Sequence, residues 1–295
     1  MNDTDMPALR IAVGVATADR PFVVANMLRI MKQQIRQPDA VIICSPSFEQ
    51  DAVSEDSRER RIAGPRGLTR QRNVILEAVE NFDLVVFFDD DFVPCPYYIK
   101  AVEDTFREFP EVFIATGRVI KDGILGPGLE FEEGLKLLET DTCSKWAGVS
   151  DVYNAYGCNM VVRIVTAKAN ALRFDENLPL YGWLEDVDFS RRAAWHGRVV
   201  KIAAARGVHL GVKTGRQAGK RLGYSQIANP IYLVRKGSHT WPKALKLISR
   251  NVLANVVRSL YPESYIDRLG RCLGNLRAFF DLCIGRLSPG RILQI

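Results

Sequence analysis

No run of about 18 apolar residues occurs in the chain, so nothing reads as a helix across a bilayer. The N-terminus carries Asp3 and Asp5 where a secretory signal would be positive, which predicts a cytoplasmic protein. The six cysteines form no CxxC pair, so neither a zinc site nor a disulfide framework is indicated. Most of them read instead as small buried apolar residues. No segment repeats at a fixed period and no low-complexity tract appears.

What is present is an ordinary globular composition, 47% apolar and 25% charged over 295 residues, which fits one large domain or one domain with an appendage. The net charge of +6 hides an asymmetry. From His196 onward there are 18 Lys+Arg against 3 Asp+Glu, whereas the preceding residues hold 22 against 31. Such a basic segment is either a solvated face or a surface for an anionic partner, with nucleic acid, phospholipid and phosphorylated substrate as the choices. A nucleic-acid-binding protein would spread basic charge and aromatics over its whole binding face. The acidic first two-thirds argue against that, and no nucleic-acid partner is expected.

Residues 9–15 are an apolar run that reads as a buried parallel strand, and Pro21 opens a helix to about residue 34. Residues 40–44 form a second strand, 45–67 a polar loop, 69–81 a helix, 84–88 a third strand, 97–109 a helix and 112–116 a fourth strand. This alternation predicts an α/β fold, a mostly parallel twisted sheet flanked by helices. Ligands then bind beyond the carboxyl ends of the strands. Residues 121–150 are glycine-rich and read as a long mobile insertion; 157–162 and 198–204 read as strands, and 184–195 as a helix. Beyond Gly207 the character changes: 211–223 is basic and glycine-rich, and 242–260 and 264–287 read as amphipathic helices. The chain divides into a flexible N-terminus at 1–8, an α/β domain at 9–215 and a basic, mainly helical C-terminal extension at 216–295.

Two acidic clusters carry the chemistry. Asp89, Asp90 and Asp91 directly follow the apolar third strand, with no sequence-adjacent lysine or arginine to neutralise them. A hard divalent cation, Mg²⁺ or Mn²⁺, does so through carboxylate oxygens. In a turn after a strand, Asp89 and Asp91 converge while Asp90 points elsewhere. The second cluster, Glu185, Asp186 and Asp188, lies in the first turn of a helix, where acids also serve the dipole. Tyr181 and Trp183 immediately before it suit stacking on a sugar ring, and a carboxylate beside them suits removal of a proton from a hydroxyl.

At this point the residues resemble the family 2 glycosyltransferases, which have the GT-A fold. Val15-Ala-Thr-Ala-Asp-Arg-Pro21 is similar to the first-strand motif that meets the nucleotide base, and Gly67-Leu-Thr-Arg-Gln-Arg-Asn73 to the family's helix start. Phe88-Asp-Asp-Asp-Phe-Val93 resembles the DxD motif, Gly157-Cys-Asn-Met160 the strand lining the donor sugar, and Glu185-Asp186 the ED motif. The resemblance spans about residues 9–215 and implies an inverting enzyme. On it, Thr17, Asp19, Arg20, Arg72, Asn73, Asp89 and Asn159 bind a nucleotide-sugar donor; Tyr181, Trp183 and Glu185 meet the acceptor; and Asp186 is the catalytic base. An exposed aspartate titrates at about 3.9, so Asp186 is expected to be ionised at neutral pH. Asp89 and Asp91 hold the metal, joined by His209, a late histidine that is either a ligand or structural.

The second strand departs from the pattern, ending in Cys44-Ser-Pro-Ser47 where the family has an acidic stretch. Thr214-Gly-Arg216, with Lys213 and Lys220, either neutralises the leaving diphosphate or forms a solvated loop. The implied role is sugar transfer in bacterial surface or exopolysaccharide assembly, onto a glycan or a polyprenyl-diphosphate-linked acceptor. The basic helices would then either pack on the α/β domain or sit on an anionic membrane surface, the protein in that case being peripheral on its inner face. Two rival readings are a sugar nucleotidyltransferase and a non-catalytic sugar-binding relative. The first needs a glycine-rich phosphate loop, which Ala16-Thr-Ala-Asp-Arg20 lacks; the second conflicts with intact Asp89, Asp91 and Asp186.

Overall fold

The computed structural model describes residues 8–18, 20–48, 56–141, 148–213 and 218–295. Asp19, the Thr214-Gly-Arg216 stretch and all of the N-terminal segment except Ala8 lie outside the described residues.

Strand β1 (Ile11–Ala16) leads into α1 (Pro21–Met31), with Pro21 in the first turn, where its missing N–H is not needed. Then come β2 (Ala40–Ser45), β3 (Glu59–Ala63), α2 (Leu68–Ala78), β4 (Leu84–Asp89), β5 (Phe92–Pro94), α3 (Tyr98–Glu108) and β6 (Val112–Asp122). They are followed by α4 (Phe131–Thr140), β7 (Val149–Asp151), β8 (Asn159–Arg163), α5 (Ile164–Ala169), α6 (Glu185–Ala193) and β9 (Arg198–His209). Three helices close the chain: α7 (Gly219–Lys236), α8 (Trp241–Ser259) and α9 (Arg268–Cys283).

Among the described residues the strands form one nine-stranded sheet in the order β3-β2-β1-β4-β8-β6-β9-β5, with β7 on β9. Strands β1–β4, β6 and β9 point the same way, while β5, β7 and β8 run against them. The central strands are apolar throughout because both faces are covered. Ile11, Val13, Val15, Val86 and Phe88 pack under α1 and α3, whereas Ala12, Val85 and Phe87 pack against α2, α5 and α6.

Five segments differ from the expectation. The polar stretch 45–67 contains β3, an edge strand whose half-buried Glu59-Arg-Arg-Ile-Ala63 carries no apolar alternation. The fourth strand runs on to Asp122 and the last to His209, because β6 and β9 pair along their lengths through register shifts. The supposed mobile insertion includes α4 and β7. The basic, glycine-rich stretch becomes α7 from Gly219 onward, a helix that tolerates Gly223 and an internal Pro230.

Candidate active site

In the parallel register of β1 and β4, Ala16 lies beside Asp89, so the next residues, Thr17 and Asp90, also meet at the strand ends. The three aspartates diverge, and each finds a cation from a distant part of the chain. Asp90 turns inward, accepts the Thr17 hydroxyl at 2.6 Å and pairs with Arg20 at 2.7 Å. Burial pushes its carboxyl up to about 7, with Arg20 opposing.

Asp89 and Asp91 face His209 at the end of β9. The His209 Nε2 lies 3.4 Å from Asp91 Oδ1 and 3.9 Å from Asp89 Oδ2. The second Asp91 oxygen accepts the Val212 amide at 2.8 Å. On the other side of the ring, Nδ1 is 2.9 Å from Asp122 Oδ1, and Asp122 accepts the Tyr156 hydroxyl at 2.8 Å. Burial lowers the His209 pKa, but Asp122, Asp91 and Asp89 outweigh it and push it up to about 10. Asp91 responds in the opposite sense: burial raises it, and His209, Arg20 and the Val212 amide hold it below the usual range.

One oxygen from Asp89, one from Asp91 and one His209 nitrogen lie within 4.8 Å of one another, the only such metal-sized group among the described residues. The donor set could hold a divalent metal ion, since carboxylates suit hard cations and an imidazole is a common metal ligand. The Nδ1–Asp122 contact fixes the ring so that Nε2 is directed at the carboxylates.

Arg72 joins this cluster to the second one. It is fully buried, and its guanidinium reaches Glu185 at 2.6 Å, Asp89 at 3.1 Å and the Gly157 carbonyl at 2.7 Å. Gly157 leaves the necessary space: a Cβ there would come 2.8 Å from Glu185 Oε1 and 3.4 Å from the guanidinium. Burial pushes Glu185 up to about 8, with Arg72 opposing. Asp186 is half-buried beside this pair. Its Oδ2 accepts the Gly157 amide at 3.0 Å, and its Oδ1 accepts the Val187 amide at 2.8 Å. Burial raises its pKa, with the two amides opposing, so the expectation of an exposed aspartate of ordinary pKa is corrected.

The segment that delivers these acids is strained. Leu180 and Leu184 have φ of 59° and 72°, a left-handed conformation that costs a non-glycine residue of order 1 kcal/mol, and Gly182 has φ 64°. Three contacts hold it: the Leu68 amide on the Leu180 carbonyl, Thr69 on Leu178, and Asn229 from α7 on the Trp183 carbonyl at 2.7 Å.

The remaining expected residues are distributed as follows. Tyr181 is exposed and Trp183 half-buried. Glu185 sits behind Asp186 against Arg72 rather than at the surface. Asn159 is buried next to the triplet, taking the Thr116 hydroxyl on its Oδ1. Asn73 uses its side-chain amide on Phe174 and Glu176, so it braces the loop before α6. Asp188 is fully buried among Arg192, Lys236 and Ser238, a structural anchor. Residue-by-residue reading missed Asp122 and Tyr156, whose only signal is an acid closing a long strand, and Gln71, which ties the Thr17 and Cys44 carbonyls together. A cavity of about 590 Å³ opens beside the triplet, lined in part by Asp90, Asp91, Met27, Phe131, Leu210 and Lys213.

Scanned against protein-family models and curated protein sequences, the chain matches none. Its fold does match solved structures. TarS 1–349 of S. aureus in complex with UDP-GlcNAc superposes with a TM-score of 0.51 at 14% identity, over 77% of this chain and 67% of that one. The mannosyltransferase PcManGT of Pyrobaculum calidifontis, in complex with GDP-Man and Mn²⁺, gives 0.51 at 14%, over 98% and 86%. GalNAc-T7 with UDP, GalNAc and Mn²⁺ gives 0.58 at 11%, over 97% and 57%. Against two other structures of TarS, the chain spans 59% and 40% of their length. At these identities the shared property is the fold, that of the GT-A-type glycosyltransferases.

Proposed function

We propose that the chain is an inverting glycosyltransferase that moves a sugar from a nucleotide-sugar donor to an acceptor hydroxyl. The observation that carries this reading is the convergence of the Asp89–Asp91–His209 cluster and Asp186 around one buried arginine, Arg72. The neighbours of the same fold support it, being described in complexes with UDP-GlcNAc, GDP-Man and UDP.

Asp89, Asp91 and His209 would hold Mg²⁺ or Mn²⁺, which would neutralise the donor diphosphate and the charge growing on the leaving group. Thr17 and Arg20, fixed against Asp90, border the donor side at the ends of β1 and β4. Asp186 takes the proton of the acceptor hydroxyl as its oxygen bonds to the anomeric carbon and the bond to the diphosphate breaks. Its two amide contacts orient it, and its raised pKa makes it a stronger base than an exposed aspartate. Tyr181 and Trp183 flank it as a platform for a sugar ring. A single carboxylate in this role, without a covalent nucleophile, gives inversion. The cavity beside the triplet reaches Asp90 and Asp91 but not Asp186. The acceptor we favour is a glycan or a polyprenyl-diphosphate-linked sugar of bacterial surface polysaccharide assembly, made at the inner face of the membrane.

The test begins with a thermal-shift screen of UDP-, GDP- and dTDP-sugars with Mn²⁺, since a ligand of the folded state raises its melting point. With the donor found, Asp186→Asn should lower turnover at least ~100-fold and leave donor affinity nearly unchanged. Loss of donor binding with turnover per bound donor intact would make Asp186 a binding residue, and full activity in excess chelator would remove the metal from the scheme.

A further inference from the structure

The last two helices carry their large apolar side chains on the wrong side for a soluble bundle. The buried face of α9 consists of Arg268, Gly274, Asn275, Ala278 and Asp281. Its outer face is Leu269, Leu273, Leu276, Phe280 and Ile284, spaced three or four residues apart and each 44% to 66% exposed. In α8 the buried positions are Ala244, Ile248 and Asn255, while Leu253 and Val256 are 65% and 53% exposed; Leu260, just past its end, is 75% exposed. Isolated exposed leucines are ordinary, but a continuous stripe along two adjacent helices is not.

The interior of this unit is joined by polar groups and close backbone contact. Asn255 donates to Gln226 at 2.8 Å and to Asn275 at 3.0 Å, and Asn275 donates to the Gly223 carbonyl at 2.7 Å. Helices α7 and α9 approach so closely that a Cβ on Gly223 would lie 2.1 Å from the Arg271 carbonyl oxygen, and one on Gly274 2.0 Å from that of Lys220. An apolar cluster of Tyr224, Ile227, Ile231 and Ile248 lies beside these bridges, yet most of the large apolar side chains of α8 and α9 stay outside it.

The charges identify what covers this stripe. At 100° per residue, Lys243, Lys246 and Arg250 fall in one row along the edge of the α8 stripe, and all three are exposed, the Lys243 ammonium lying 4.3 Å over the Tyr153 ring. The acids of the region are engaged elsewhere. Glu263 binds Arg258 and Arg268, Asp267 caps α9 through the Gly270 amide, and Asp281 binds Tyr224 and Arg291. In a two-fold contact over this stripe, the acids of the region, already engaged, would give the basic row no partner. Lipid phosphates answer it directly. No described helix is long and apolar enough to cross a membrane, so the element lies on the bilayer rather than through it.

We propose that α8 and α9 form a lipid-docking hairpin that seats its apolar stripe among the acyl chains of an anionic bilayer, with Lys243, Lys246 and Arg250 at the phosphates. The proposal stands independently of sugar transfer. Its test uses the full chain and sedimentation with two kinds of vesicle, phosphatidylcholine alone and phosphatidylcholine mixed equally with phosphatidylglycerol. The protein should pellet with the mixed vesicles at low salt and be released as salt screens the charge. The double variant Leu273→Asp, Phe280→Asp should partition at least ~10-fold more weakly, because both side chains leave the hydrocarbon. Lys246→Glu with Arg250→Glu, at exposed positions that leave the fold untouched, should lose the preference for phosphatidylglycerol by ~10-fold or more. Absence of pelleting with the mixed vesicles, or variants that pellet like the wild type, would overturn the proposal. So would a lipid-free dimer that Leu273→Asp dissociates, which would assign the stripe to a second copy.

Discussion

Replacing Arg72 with methionine tests the centre of the site most directly. The substitution keeps most of the side-chain length and removes the charge. It strips Glu185 of its partner at 2.6 Å, Asp89 of one at 3.1 Å and the Gly157 carbonyl of a donor at 2.7 Å. Glu185 is 5% exposed, and its second oxygen makes no hydrogen bond, so nothing local replaces the guanidinium. Removing one partner of a buried pair costs about 3–5 kcal/mol once the other is ionised and its charge stays behind in low dielectric, which for Glu185 means the alkaline end, near pH 8 and above. At roughly 2–4 °C per kcal/mol for a chain of this size, the melting temperature should fall by about 6–20 °C. The pH dependence has a definite sign. A carboxyl whose folded pKa is raised stabilises the fold fully below its unfolded value near 4.5, and that stability is lost as pH rises toward the folded value of about 8. Without Arg72 the folded pKa rises further, so the deficit of the variant should be small in acid and grow steadily over this window. Differential scanning fluorimetry in metal-free buffers reads both effects. The double variant Arg72→Met, Glu185→Met should regain at least ~1 kcal/mol over the single one, since the stranded charge is gone. A single-variant deficit below ~1 kcal/mol at the alkaline end, or a double variant no better than Arg72→Met alone, would refute the buried-bridge reasoning.

Two further outcomes follow from the geometry. Asp122→Asn leaves every proposed metal ligand in place but weakens the contact that fixes the His209 ring, so Mn²⁺ affinity by isothermal titration should drop about 10–100-fold; unchanged affinity would remove Asp122 from the centre. Gly223→Ala forces α7 and α9 apart, because the new methyl meets the Arg271 backbone at 2.1 Å; it should cost about 1–3 kcal/mol in denaturant unfolding, and a neutral result would show that the crossing relaxes freely.

Sequence and tertiary structure contributed differently to this picture. The apolar runs that became β1, β2 and β4 were legible because strands covered on both faces need no polar alternation, and the acids at the end of β4 stand out against such a run. The order of the motifs, from Thr17 through the triplet to Glu185-Asp186, was equally visible in the linear chain. The divergence of the triplet was anticipated too, since neighbouring side chains on an extended turn leave in opposite directions. Three other features could not be read. The edge strand β3 is polar because only part of it is covered, and α7 contains glycines and a proline that local propensity rejects. Its close fit to α9 compensates for them, and that fit exists only when residues some fifty positions apart meet. The outward turn of the α9 stripe was also hidden, because a 3.6-residue period says that one face is apolar and not which way it looks. Finally, the environments of the carboxylates belong to the fold alone. Asp186 was expected to be ordinary, yet burial raises it, and the cations that meet the triplet come from Arg20, Arg72 and His209 on three different elements. Sequence determines which groups can ionise; the distances and the dielectric that set how they ionise arise only when the strands are laid side by side.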